Sequence, residues 1–157
     1  MQSIRHVGTS VVMAVLLILI APFIHAGDQK SEPSLYNRLG GAYAIASVVD
    51  DFIERLLVND VLNANPAIKS SRDRVPKAGL KFHVTMMVSE VTGGPEKYTG
   101  RSMKDSHVHL NITSQEWDAM VADFKVTLAK FDVPEKEQQE LIAIVATTKA
   151  DIVTSAK

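Results

Sequence analysis

From Leu35 to Ile152 the apolar residues recur at the spacing of a helix, and nowhere in that stretch do they alternate as a half-buried strand would. Such a period lines them along one stripe of a helix, so the chain is expected to fold as an all-α domain of packed helices. Breakers divide the pattern. "SLYNRLGGAYAIASVVDDFIERLLVND" predicts a short helix stopped by Gly40-Gly41, then a longer one that buries Ile45, Val48, Val49, Phe52, Ile53 and Leu56. "NANPAIKSSRD" predicts irregular chain, since Pro66 and the Asn and Ser residues disfavour helix interiors. A third helix is predicted over Val75 to Val91, with Pro76 in its first turn and Gly93-Gly94-Pro95 ending it. A short helix follows around Ser102 to Leu110. Thr113 and Glu116 form a capping-box pair for a helix with the stripe Trp117, Met120, Val121, Phe124, Leu128, Phe131. Asp132, with Pro134 close behind, starts the last helix, whose buried side carries Leu141, Ile142, Ile144, Val145, Thr148 and Ile152.

The segment ahead of these helices is of another kind. "MQSIRHVGTS" carries Arg5 and His6, "VVMAVLLILIAPFI" is almost wholly apolar, and "IHAGDQK" closes with small and polar residues. This is the layout of a secretory signal at residues 1–26, followed by a polar linker, 27–34, and a domain over 35–157. The apolar run from Val11 to Ile24 is shorter than the roughly 20 residues that a spanning helix needs. An uncleaved anchor is the other reading of the same segment. The expected location is therefore periplasmic or secreted, with membrane attachment only where the segment is retained.

Composition limits the chemistry. The chain has 157 residues and a net charge of −1, which gives no basic excess for nucleic acid. It has no cysteine, so disulfides, thiolate metal sites, cysteine nucleophiles and thioether attachment of haem are all excluded. Metal chemistry would have to rest on histidine and oxygen ligands. Beyond the leader the histidines are His83, His107 and His109. Residues two apart on a helix point about 200° from each other, so His107 and His109 cannot both face inward. His107 shares a face with Met103 and Leu110 and is assigned inward; His109 is assigned outward. His83, with Leu80 and Met87 at i−3 and i+4, is also expected to face inward, at the edge of a stripe centred on Leu80, Val84, Met87 and Val91. The pattern leaves open whether these are ligands or ordinary histidines bonded to backbone. Two imidazoles with no third partner make a poor zinc site, whereas haem iron asks protein for only one or two axial ligands.

The runs "LYNRLGG", "VVDDFIERLL", "GGPEKYTGRSMKDSH" with "LNIT" after it, and "VPEKEQQELIAIV" together resemble the group I truncated haemoglobins, over about Ser34 to Val153. That resemblance implies a globin-like two-on-two helical sandwich holding haem, with His107 matching the proximal histidine that bonds the iron. The carbonyl of Met103, one turn earlier, suits the other ring nitrogen as acceptor. Tyr98 and Met103 match positions that touch the macrocycle, and Trp117 matches an aromatic at the start of the following helix; each also reads as plain core packing. On the distal side many relatives carry Tyr directly after the Phe of the second helix, where this chain has Ile53. His83 matches the place of a distal histidine in cyanobacterial members, able to bond the iron itself, and Val84 stands where relatives often carry Gln. Should His83 stay off the iron, the distal pocket is expected to be lined by Ile53, Phe82, Val84 and Met87. The last helix contains no histidine, which argues for haem b held without a covalent link.

The resemblance implies O2, NO or CO as ligands. A bis-histidyl redox protein or an NO-detoxifying protein is a second reading, and it calls for an external electron donor because the chain has no flavin or nicotinamide motif. A cofactor-free helical interaction domain is the third.

Overall fold

The computed structural model describes residues 32–154. The expected signal or anchor, and all but the last three residues of the expected linker, lie outside the described residues. No helix among the described residues is long and apolar enough to cross a membrane.

Nine helices occur among these residues: α1 Leu35–Arg38, α2 Gly41–Val58, α3 Asp60–Asn63, α4 Pro66–Arg72, α5 Lys77–Val91, α6 Met103–His107, α7 Ser114–Lys130, α8 Glu135–Thr147 and α9 Lys149–Ile152. The long ones form two pairs, α2 with α5 and α7 with α8, and α2 also packs on α7. This is the expected two-on-two sandwich. On α2 the stripe Ile45, Val49 and Ile53 is buried, backed by Leu80, Val84 and Val88 of α5. A second core joins Leu35, Leu128 and Leu141 from α1, α7 and α8.

Both glycine-containing turns have a steric cause. Gly40 and Gly41 have φ of 91° and 76°, in the left-handed region where a side chain is strained. After α5, Gly93 has φ 88° and the Gly94 N–H donates to the Ser89 carbonyl at 2.7 Å. A Cβ at Gly94 would lie 2.5 Å from Tyr36 Cδ2 and 2.7 Å from the Ser89 carbonyl oxygen. Tyr36 joins the two turns: its N–H donates to the Thr92 carbonyl at 2.8 Å, and its hydroxyl donates to Glu96 at 3.0 Å while accepting from the Ala42 N–H.

The expectation of irregular chain over "NANPAIKSSRD" is overturned, for the residues taken as breakers are helix starters here. Asn59 caps α3 through the N–H groups of Val61 and Leu62, and Asn65 caps α4 through those of Ala67 and Ile68. Pro66 occupies the first position of α4, where its missing N–H removes no helical bond. At the end of α4, Arg72 donates to the carbonyls of Leu56 and Leu57, satisfying the last turn of α2. Other differences are smaller. Pro76 caps α5 from outside, α6 stops at His107, and the last helix is broken at Thr148, whose hydroxyl and N–H both turn back to the Val145 carbonyl. Asp132 takes a left-handed φ of 50°, so α8 begins only after Pro134. Phe131 leaves the α7 stripe: it sits at the helix's end, exposed, with Lys130 over its ring. The capping box of α7 is present as read, Glu116 accepting from the Thr113 N–H at 2.6 Å and Thr113 Oγ1 from the Glu116 N–H at 3.2 Å.

Candidate functional site

A five-residue helix has too few internal hydrogen bonds to be stable alone, so α6 depends on its ends. Ser102 caps it, accepting from the Asp105 N–H at 3.0 Å. Upstream, Tyr98 folds back over Gly100, its hydroxyl donating to the Arg101 carbonyl at 2.8 Å and its N–H to Glu90 of α5 at 3.0 Å. The "YTGR" run is thus a compact turn that delivers α6 at a fixed angle to α5, and only a glycine at position 100 leaves room for the tyrosine ring.

His107 is the last residue of α6. Its Nδ1 lies 2.8 Å from the Met103 carbonyl oxygen. A carbonyl can only accept, so Nδ1 carries the proton and Nε2 is left with a free lone pair. Burial pushes the His107 pKa below its ordinary value; the Met103 bond opposes this and the nearby His109 adds to it. The ring is therefore a neutral donor, half-buried, while His109 is exposed.

The distal candidates separate into two groups. Ile53 is buried and packs with Leu80 and Val84. Val84 and Met87 line an apolar cavity of about 130 Å³ together with Phe52, Met120 and Phe124. His83 and Phe82 instead lie at the surface: Phe82 is 60% exposed, with its ring 5.7 Å from that of His83, and His83 stands edge-on to Tyr98 at 6.0 Å. Of the four residues expected to line the distal pocket, only Val84 and Met87 border the cavity: Ile53 is taken up by the packing of α2 on α5, and Phe82 sits on the outward side of α5. His83 lies exposed beside it, against the inward facing expected of it. Trp117 is buried beneath Lys149, whose Nζ lies 5.8 Å from the indole ring. Phe52, Met120, Phe124 and Val145 were not singled out as site residues, yet they border the cavity. Their signal was present, since all four belong to the apolar stripes of their helices.

Among the described residues no three His, Asp or Glu side chains converge to cage a bare cation. Haem makes a smaller demand, and the donor chemistry fits it: one neutral imidazole with its tautomer fixed by the Met103 carbonyl. The apolar cavity is lined from α2, α5, α7 and α8, and His107 is not among its lining residues.

The family pattern of the bacterial-like globins matches residues 34–154. A group 1 truncated haemoglobin from Synechocystis sp. is 34% identical over 115 residues, spanning 71% of this chain and 88% of that protein. One from Mycolicibacterium paratuberculosis is 28% identical over 132 residues, spanning 83% and 93%. Among solved structures, the 2/2 haemoglobin from Synechococcus sp., in the cyanomet state and with covalently attached haem, has a TM-score of 0.68 at 26% identity, covering 77% of this chain and 98% of that one. The ferric truncated haemoglobin from Tetrahymena pyriformis shares the fold at a TM-score of 0.68 and 21% identity, covering 78% of this chain and 100% of its own. With a family match over nearly all the described residues and a relative above 30% identity, the chain belongs to the bacterial-like globins and, within them, to the group 1 truncated haemoglobins.

Proposed function

We propose that this chain binds haem b without a covalent link, through Nε2 of His107, and takes up O2, NO or CO on the opposite face. The observation that carries the reading is the state of the His107 ring, with Nδ1 committed to Met103 and burial favouring the neutral form. When bound, haem would supply the iron that takes the diatomic ligand. The chain supplies the rest. Met103 fixes the ring's tautomer and direction, Trp117 backs the following helix, and Leu80, Val84 and Met87 offer an apolar wall that disfavours water. The helix bearing Lys149 and the one before it contain no histidine to attach the macrocycle.

Ile53 offers no proton to a bound ligand, so any polar control on the distal side falls to His83. With haem bound, His83 would be the residue to hold the iron on the distal side at rest, and an incoming gas would compete with it. Apparent affinity is then the intrinsic affinity multiplied by the fraction of protein with the site open. The ring's exposure, with Phe82 and Tyr98 as its aromatic neighbours, supports such movement. An electron donor outside the chain would be needed to keep a bound haem ferrous, since the chain carries no flavin or nicotinamide motif. The leader at residues 1–26 directs the domain to the periplasm or the medium, which fractionation and the mass of the mature chain would test.

The deciding measurement is the absorption spectrum of the full chain purified with supplied haem, in both oxidation states. A low-spin spectrum that turns high-spin in His83→Ala, with faster CO binding, is the expected result. A wild-type protein already high-spin would remove the distal ligation, and a colourless one the whole proposal.

A further inference from the structure

We propose that Asn65 is a positioning residue for the proximal histidine, acting through the corner Leu110–Ile112. This rests on the reading of His107 as the haem ligand. The corner is tied to the histidine directly, for the Leu110 N–H donates to the His107 carbonyl at 2.8 Å and closes the turn that ends α6. Asn111 then takes a left-handed φ of 51°, and Ile112 is buried. Two remote segments grip this corner. Asn65 Nδ2 donates to the Leu110 carbonyl at 3.0 Å. The chain's C-terminal end does the same at Ile112, which pairs with Val153 in a parallel bridge and accepts from the Thr154 N–H at 2.9 Å and Oγ1 at 3.2 Å.

Asn65 differs from the tail in what stands behind it. Its Oδ1 accepts from the Ala67 and Ile68 N–H groups at 2.9 and 3.3 Å, so the same amide starts α4 and holds the corner. This fixes the amide's orientation, since only the oxygen can accept from the helix and only the nitrogen can donate to a carbonyl. Through Arg72, α4 also holds the last carbonyls of α2, and four residues beyond α4 the chain enters α5, which carries His83. One half-buried side chain therefore links the segment that leads to the distal helix with the turn that sets the proximal ring. A short helix with its last turn held at Leu110 has little freedom to rotate, and the direction of Nε2 follows.

Asn65→Asp separates the two roles, because a carboxylate still caps α4 but has no proton for Leu110. Asn65→Ser is the second variant, able to cap and too short to reach the corner. In the haem-loaded full chain, both are expected to lose haem to a scavenging apoglobin about fivefold faster, the size expected of one lost hydrogen bond. Both are also expected to shift the iron–histidine stretching band seen after CO photolysis. That band is blind to a general loss of stability. In the haem-free protein, the Leu110 amide proton should exchange faster than in wild type while the α7 amides are unchanged. Wild-type haem loss, an unmoved band and unchanged Leu110 exchange would overturn the proposal. A wild-type protein that takes up no haem would instead overturn the functional reading on which it rests.

Discussion

His107 ends α6 and His109 lies in the turn beyond it; the two are chemically alike, and what separates them is where the backbone leaves each ring. His107 is half-buried with Nδ1 on Met103, whereas His109 is exposed. His107→Ala should therefore abolish stable haem uptake, read as loss of Soret absorbance after gel filtration, while His109→Ala should leave it within error of wild type. Equal losses would mean that the ring at 107 is not the donor. Gly94 gives a second residue-scale expectation of another type. Gly94→Ala sets a methyl group 2.5 Å from the Tyr36 ring and 2.7 Å from the Ser89 carbonyl; withdrawal of the ring would break the Tyr36–Glu96 bond, and withdrawal of the carbonyl its bond from the Gly94 N–H. The expected destabilisation is about 1–3 kcal/mol in urea titration. The inward facing of His107 and the stop of α5 before Gly93-Gly94-Pro95 were legible in the sequence, because the first follows from helical spacing relative to Met103 and the second from a glycine pair ahead of proline. The outward position of Phe82 was not legible: it borders the apolar stripe of α5, and which side of that border faces water depends on where α2 sits.

Element boundaries show where local signals carry and where they mislead. Thr113 and Glu116 form a capping box that needs nothing beyond its own four residues, so the start of α7 could be read directly. Thr113→Ala should lower stability by about 1 kcal/mol, seen as a shift of the urea midpoint with no change in slope. Asn59, Asn65 and Pro66 carry the same kind of signal, yet their density in one short stretch resembled a loop. What makes α3 and α4 helical is partly tertiary, since Leu62 is buried and Arg72 finds the open carbonyls of α2. The break at Thr148 was hidden for the opposite reason. Apolar spacing continues through it, and only the pairing of Val153 with Ile112 shows why the chain bends there.

At the scale of the molecule the two helix pairs are joined by polar as well as apolar groups, and this gives the fold a definite response to acid. Asp51 of α2 is bonded by Lys130 of α7, by Arg55 one turn along α2 at 2.7 Å, and by Thr127 Oγ1 of α7 at 3.1 Å. Thr127 is fully buried, so the carboxylate sits at the seam between the pairs. The Lys130 bond, helped by Arg55 and Thr127 against a burial penalty, lowers its pKa from 3.8 to about 2. A carboxylate with a depressed folded pKa contributes stability above its unfolded pKa and loses it as the folded group takes up a proton. The haem-free protein should thus keep the Asp51 contribution down to about pH 4 and lose it between there and about pH 2. The Arg38 guanidinium, which joins α1 to Glu137 and Glu140 of α8, holds the Glu137 carboxyl below its usual range and adds a loss of the same sign. With Asp51 side-chain exposure at 15%, some solvent screening applies, and Asp51→Asn should cost about 1–2 kcal/mol at neutral pH. Near pH 2 the variant and wild type should differ by much less, since about half of the folded wild-type Asp51 is then protonated and most of its charge-dependent contribution is lost. Urea midpoints of the two proteins at neutral pH and near pH 2 check this: a gap that stays constant would show that Asp51 acts by shape and not by charge.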